Sequence, residues 1–336
     1  MNAGNAPQRL GHARLPLVSI IVPLYNAENT IRELLNSIRN CDYRHIETVV
    51  IDDSSTDNGI ELVRTEFPWA KIIQNTRNMG KSWSLNQGID SSMGEFLVIT
   101  DPDIVMDSQL LSKWIDVVAA NPEIGVGGCY VYYKTEPMRL THAGGRLDKR
   151  TGRINRQATD TELQYHKECL KISSELVFDD IYILRRTSLQ KTGLYDYKNF
   201  RTIYEEADLQ FRIQDSGGLS AIIPGARAFH NIPPSVWGQL RRYSKYKIEL
   251  LCRNRFIFLR KHDLSNKPIR IFLTLRLILY YSFVAVVQPT NLRGRLELLG
   301  SVFIGTWKGL TDQIYSSEPP LGMTTQTQIG KSKNGL

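Results

Sequence analysis

Runs of Val and Ile, each followed by a stretch with apolar residues three and four apart, dominate the chain between residues 17 and 133. LVSIIVPLY (17–25), HIETVVIDD (45–53), AKIIQN (70–75), EFLVITD (95–101) and IGVGGCYVYY (124–133) have the length and β-branched content of strands. AENTIRELLNSIRN (27–40), DNGIELVRTEF (57–67), KSWSLNQGIDSS (81–92) and LLSKWIDVVAA (110–120) carry helical periodicity between them. Strands without polar alternation are buried on both faces, so this order predicts an α/β open sheet, mostly parallel, with helices on each side.

Ligands of such sheets bind outside the carboxyl ends of the strands. Three strands end there on polar residues: Tyr25 with Asn26, Asp52 with Asp53, and Asp101 with Asp103. Asp101 and Asp103 flank Pro102, and Asp favours turns, so a plain turn is one reading. Capping the next helix is not needed of them, because Asp107 and Ser108 stand closer to its start. The other reading is a site for a polar, phosphorylated ligand. Two nucleotide motifs fail here: no G-x-G-x-x-G follows the first strand, and NTRNMGKS has Asn75 where a P-loop needs its first glycine. A Mg²⁺ or Mn²⁺ ion held by Asp101 and Asp103 would take the place of such a loop, because these hard cations prefer oxygen ligands and substrate phosphates.

Charge changes the picture further along. Residues 236–276 hold eleven Lys and Arg against Glu249 and Asp263, a balance of +9 in a chain whose total is +8. A basic block confined to one region implies a localised anionic partner. The four cysteines form no C-x-x-C pair, which speaks against a zinc cluster or disulfide framework and for a reducing compartment. The first residues lack the apolar core of a cleavable signal.

With those pieces in order, residues 17 to about 230 resemble the inverting glycosyltransferases of family 2, which have the GT-A fold. The matching stretches are VSIIVPLYNAE, VVIDDSSTDN, NTRNMGKSWSLNQGI, the D-x-D motif as TDPD, and YEEADLQFRI. THAGGRLDKRTGR (141–153) and ILRRTSLQKTGLYD (183–196) look most like the rhamnosyltransferase-type branch. The resemblance implies that Pro23, Tyr25 and Glu28 line the pocket for base and ribose, that Asp53 accepts from the base, and that Lys81 lies near the donor. It implies a metal on Asp101 and Asp103. His230 of AFHNIPP aligns with a histidine that some members add as a ligand; a satisfied surface or core histidine is the other reading. The second acidic position of YEEAD, Glu206, would be the general base where members usually carry Asp, with Glu205 as the alternative. A third possibility is that both merely favour a helix N-terminus. One base and one metal suffice for a single inverting displacement, whereas a retaining hydrolase needs two carboxylates.

Beyond His230, residues 235–263 interleave Arg and Lys with Tyr, Phe and Leu and predict a basic amphipathic helix at a membrane surface. Residues 269–289 and 296–310 are apolar, but Arg276 interrupts the first run and leaves it short of the roughly 20 residues of a spanning helix. An interfacial or re-entrant helix is the preferred reading, with a single span or a soluble core helix as alternatives. Basic residues alternating with Leu and Ile fit lipid better than a base-stacking platform, so nucleic acid is not expected.

The organisation expected is a flexible tail (1–15), a GT-A domain (16–235), membrane-associated helices (236–312) and a disordered tail (313–336). The expected function is metal-dependent transfer of a sugar from a nucleotide-diphosphate donor to a hydroxyl of a lipid-linked, polyprenyl-type glycan. It would act at the cytoplasmic face of the cell membrane as a peripheral or monotopic protein. Two rivals remain. One is a sugar-nucleotide pyrophosphorylase, whose glycine-rich loop is missing; the other is a non-catalytic, membrane-associated nucleotide-sugar-binding protein. Residues 159–180 carry no assigned element.

Overall fold

The computed structural model describes residues 15–156, 172–174, 176–177, 180–235, 243–264, 267–287 and 290–315. The tail expected over 1–14, the first part of the basic helix (236–242) and the tail beyond 315 lie outside these residues.

Strands β1 (Val18–Leu24), β2 (Ile46–Asp52), β3 (Lys71–Gln74) and β4 (Phe96–Thr100) alternate with helices α1 (Glu28–Arg39), α2 (Gly59–Glu66) and α3 (Lys81–Asp90). β1 lies parallel between β2 and β4, and β2 pairs parallel with β3. Successive β1 residues point to opposite faces: Ile20 and Val22 pack with Leu34 of α1, whereas Ile21 packs with Leu85 and Ile89 of α3. The result is a sheet covered on both sides, the arrangement that uninterrupted Val/Ile runs require. Pro23 lacks a donor, and it falls beyond the β1–β4 register, which runs from Val18 to Ile21.

After β4 come β5 (Ile104–Met106), α4 (Leu110–Ala120), β6 (Ile124–Tyr133), β7 (Leu140–His142), the hairpin β8 (Gly145–Asp148) with β9 (Arg153–Arg156), β10 (Ile172–Ser173), β11 (Ile181–Arg185), α5 (Arg186–Thr192), α6 (Glu205–Asp215) and β12 (Leu219–His230). Among the described residues the main sheet has ten strands, ordered β10-β12-β6-β11-β4-β1-β2-β3, with β5 on β12 and β7 on β6. It is mixed where a mostly parallel one was expected. β11 runs antiparallel between β4 and β6, and β5, β7 and β10 also pair antiparallel. Strand composition reports burial, not direction, so the reversal of β11 left no trace in its apolar run.

The C-terminal helices α7 (Lys245–Lys261), α8 (Lys267–Val287) and α9 (Leu292–Thr311) form their own core around Cys252, Phe256, Leu277 and Val302. Here the expected membrane-surface helix is corrected. α7 is buried along several sides, through Ile248, Cys252, Phe256 and Phe258, and the cations of its second half, Arg253, Arg255, Arg260 and Lys261, have partners within the protein. Arg253 bonds Asp312 at 2.7 Å and the Asn199 carbonyl at 2.9 Å. Arg255 reaches the Thr151 carbonyl at 2.6 Å, Arg260 the Gly309 carbonyl at 2.9 Å, and Lys261 both Asp196 and Asp208 at 2.6 and 2.7 Å. No helix among the described residues is long and apolar enough to cross a membrane.

The two ends of the described chain are also held. Leu15 offers its carbonyl to His45, and Tyr315, assigned to a tail by sequence, exchanges two backbone bonds with the Asn199 side chain at 2.9 and 2.7 Å.

α9 lies close on α7 because two of its residues have no side chain. A Cβ on Gly305 would sit 2.3 Å from the Glu249 carbonyl oxygen, and one on Gly309 2.6 Å from that of Arg253. Since backbone cannot yield as a flexible side chain does, Gly305→Ala is expected to lower stability by about 1–3 kcal/mol, read from urea denaturation.

Candidate active site

The D-x-D segment is a turn and something more. Asp101, Pro102 and Asp103 join β4 to β5, so the turn reading holds for the backbone. Neither carboxylate caps α4; Asp107 takes the Gln109 N–H at 3.0 Å, and Ser108 has no capping bond to the helix. Asp101 and Asp103 instead face two cations. Lys81 Nζ lies 2.8 Å from Asp101 Oδ1 and 2.9 Å from Glu206 Oε1, which ties the tip of β4 to the start of α6. His230 Nε2 lies 3.2 Å from Asp103 Oδ2.

The meeting of Asp103 and His230 follows from pairing. β5 runs antiparallel to the end of β12, with Ile104 opposite His230, and Asn231 N–H donates to the Asp103 carbonyl at 2.9 Å. β12 runs parallel to β6, which puts its last residue at the same edge as the ends of β1, β2 and β4. Because β11 is reversed, its leading residue, Asp180, also arrives there, and its carbonyl accepts from Asp101 N–H at 2.9 Å. Asp180 Oδ2 takes His230 Nδ1 at 3.0 Å and His142 Nε2 at 2.6 Å.

Burial alone would raise Asp180, yet the two histidines hold it well below the usual carboxylate range. Burial would likewise lower His230, but Asp180 and then Asp103 push it up to about 10. Asp180 and His142 were missed by the sequence reading. The one signal was an Asp at the foot of an apolar run, and a rule about carboxyl ends passes over the amino end of a reversed strand.

Glu205 and Glu206 open α6 and are both buried. Burial, and then the charge of Glu206, push Glu205 well above the usual carboxylate range. Glu206 is the one joined to Lys81. The turn before them is strained, since Ile203 and Tyr204 have φ of 65° and 76°, a region costly for a β-branched residue. Asn254 of α7, fully buried, donates to the Thr202 and Ile203 carbonyls at 2.8 Å each, and the Tyr204 hydroxyl bonds the Gly152 carbonyl at 2.7 Å. Asp208, further along α6, is held by Arg212, His262 and Lys261.

Asp53 is buried and already bonded. It accepts from Asn75 Nδ2 at 2.8 Å and from the Met79 and Gly80 backbone at 2.7 Å each, which fixes the loop before Lys81. Gly80 has φ 95°, and a Cβ there would meet Arg201 Cγ at 2.2 Å. Glu28 latches α1 to the loop after β2 through Asn58 N–H at 3.2 Å, and Tyr25 stands half exposed at the end of β1 beside Pro23. The structure therefore joins Lys81, Asp101 and Glu206 in one contact group and Asp103, His230 and Asp180 in another. Pro23, Tyr25, Glu28 and Asp53 lie at the ends of β1 and β2 on the same edge.

Among the described residues no three His, Cys, Asp or Glu side chains converge as a closed metal cage. The donor set nonetheless suits a hard cation of the Mg²⁺ or Mn²⁺ type, which one or two carboxylates hold when substrate phosphates complete its shell. Asp101 and Asp103 are partly exposed carboxylates, and the Asp180 contact on His230 Nδ1 is the outer partner that ligating histidines usually have.

Comparison with known proteins agrees with this architecture. Residues 19–177 match the family described as Glycosyl transferase family 2. This stretch of the chain is thus similar to a family 2 glycosyltransferase domain. A glycosyltransferase of Haemophilus influenzae is 28% identical over 139 residues, covering 40% of this chain and 56% of its own length. The chain thus spans little more than half of that relative. The mannosyltransferase PcManGT from Pyrobaculum calidifontis, in complex with GDP-Man and Mn²⁺, superposes with a TM-score of 0.55 at 18% identity over 90% of this chain and 89% of its own. GalNAc-T7 with UDP, GalNAc and Mn²⁺ superposes with a TM-score of 0.56 at 17% identity, over 73% of this chain and 50% of its own. The chain therefore has a GT-A-type α/β fold.

The Asp180 contacts predict a pH window in metal-free buffer. His230, raised above its ordinary 6.5, contributes stability that is full below 6.5 and lost as pH rises through about 10. Asp180, lowered below 3.8, contributes stability present above 3.8 and lost as pH falls through its folded value. Asp180→Asn is expected to cost about 3 kcal/mol at neutral pH, since it strips the carboxylate from two buried imidazoles. Urea denaturation across pH should find that gap closing at both ends of the window.

Proposed function

We propose that the protein is an inverting, metal-dependent glycosyltransferase of the hexosyltransferase class, moving a sugar from a nucleotide-diphosphate donor to a hydroxyl of a lipid-linked, polyprenyl-type glycan. Motifs 141–153 and 183–196 support a rhamnosyltransferase-like donor. The observation that carries the proposal is the Lys81 bridge, which sets one carboxylate suited to a metal and one suited to a proton on the same ammonium.

Asp101 and Asp103, with His230 once its Nε2 is deprotonated, would hold Mg²⁺ or Mn²⁺. Such an ion supplies charge neutralisation for a departing diphosphate. Tyr25, with Pro23 and Glu28, would flank the base and ribose, while Asp53 keeps the loop before Lys81 in place and offers its remaining lone pairs to the base. Lys81 exchanges its carboxylates for donor phosphates when donor binds, which frees Glu206. Glu206 then takes the proton of the acceptor hydroxyl as that oxygen attacks the anomeric carbon from the face opposite the nucleotide. The new C–O bond forms as the bond to the diphosphate breaks, so configuration inverts in one step. Glu206, the one of the pair that meets Lys81, is the base, while burial and its neighbour favour the neutral form of Glu205. The extra methylene of Glu relative to the family's usual Asp is accommodated by Lys81, which fixes where the longer side chain ends.

A panel of nucleotide sugars with and without Mn²⁺ tests the proposal against a non-catalytic binder. Glu206→Gln should keep the rise in melting temperature given by donor with Mn²⁺ and lose about 10²–10⁴-fold in turnover. Asp101→Ala with Asp103→Ala should abolish the Mn²⁺-dependent rise itself. Full turnover in either variant would overturn the assignment.

A further inference from the structure

We propose that the outward faces of α8 and α9 dock on an anionic lipid bilayer, lying in its interface without crossing it. The surface is separate from the transfer chemistry and rests on its own observations.

Both helices are apolar on two sides. In α8 the inward stripe, Leu273, Leu277, Tyr281 and Val284, is buried in the C-terminal core. The opposite stripe is Phe272, Leu275, Leu279, Phe283 and Val286, spaced three and four apart, with Leu279 72% exposed. In α9, Leu298, Val302, Gly305 and Gly309 face inward, while Leu296, Phe303, Ile304 and Trp307 face out, Trp307 at 70% exposure. A helix apolar all round is normally buried on all sides. Two adjacent helices that leave such residues in the open present apolar surface of the kind that marks an interaction site.

Charge identifies the occupant. Residues 267–311 contain six Lys and Arg and one acid, Glu297; Arg293 pairs with Glu297 at 3.2 Å and Lys308 with Glu249 of α7 at 2.6 Å, which leaves a net positive charge that includes the exposed Arg276. A second copy of the same face would bring these cations together, an unfavourable pairing for a two-fold contact. Anionic headgroups complement them, each basic residue near such a surface contributing about 1 kcal/mol. Arg276 is exposed within the α8 stripe, where its long stem lets the guanidinium reach headgroups while neighbouring Leu275 and Leu279 enter the acyl boundary. Tyr280 of α8 and Trp307 of α9, both exposed, are the aromatic types that favour the membrane–water boundary. This face replaces α7 as the contact with lipid, since the second half of α7 has committed its cations internally.

The test is co-sedimentation of the full chain with vesicles of phosphatidylcholine alone and with about 30% phosphatidylglycerol. Binding is expected to the mixed vesicles and to be weaker with phosphatidylcholine alone. Leu279→Glu with Trp307→Glu should weaken binding at least about tenfold, with melting temperature unchanged, because both side chains project away from the core. Absence of binding to either vesicle overturns the proposal, as does equal binding by the double variant. So does a dimer in light scattering that the double variant dissociates. Because the readout is lipid binding, these results stand apart from the donor-binding and turnover assays.

Discussion

A carboxylate taken out of water must be given a cation, a proton or a set of hydrogen-bond donors such as Asp53 has, and this requirement organises the molecule. Lys81 serves Asp101 and Glu206, two histidines serve Asp180, and Arg212, Lys261 and His262 converge on Asp208. At Glu205 burial and the charge of Glu206 favour the neutral form instead. Each solution also joins elements distant in sequence. α3 is tied to β4 and α6, β11 to β7 and β12, and α6 to α7. The same contacts that make burial tolerable hold the sheet edge, where a ligand's phosphates would bring negative charge of their own. Lys81 is therefore the group whose allegiance a phosphorylated ligand would change first.

Much of the N-terminal half was legible because its signals are local. Strand β6 matches the apolar run at 124–133 to the residue, and β1, β2, β3 and β4 fall within one or two residues of their Val/Ile runs. The D-x-D carboxylates and the acidic pair at 205 and 206 were legible as well, through residue type and order. What was not legible is pairing. Asp180 reads as one more acid before a hydrophobic run, and only the reversal of β11 between β4 and β6 carries it to the edge. His142 comes with β7, a three-residue strand too short to show alternation. Asp53 illustrates the converse: the residue was noticed, but its bonds to the Met79 and Gly80 backbone depend on a loop conformation that composition does not report.

The basic third of the chain was misread for a related reason. Interleaved Arg and Leu give the same pattern whether the cations meet headgroups or carbonyls inside the protein, because periodicity records spacing and not partners. Arg253, Arg255, Arg260 and Lys261 all found partners within the protein. The apolar character of α8, by contrast, has an outward half that internal packing does not use.

These C-terminal helices also reach the candidate base. Ile203 and Tyr204 adopt left-handed backbone angles that neither residue favours, and a turn of that kind persists only when its surroundings over-determine it. Asn254 supplies that constraint from α7 with two bonds to the turn, while Phe258 packs against the Tyr204 ring at 5.5 Å. α9 in turn lies on α7 at the closeness that Gly305 and Gly309 permit. The direction in which α6 presents Glu206 is thus set by a chain of rigid contacts running from α9 through α7 to the strained turn. The C-terminal unit is part of the site's architecture, since Asn254 and Phe258 of α7 are among the contacts that offset the cost of the conformation that starts α6.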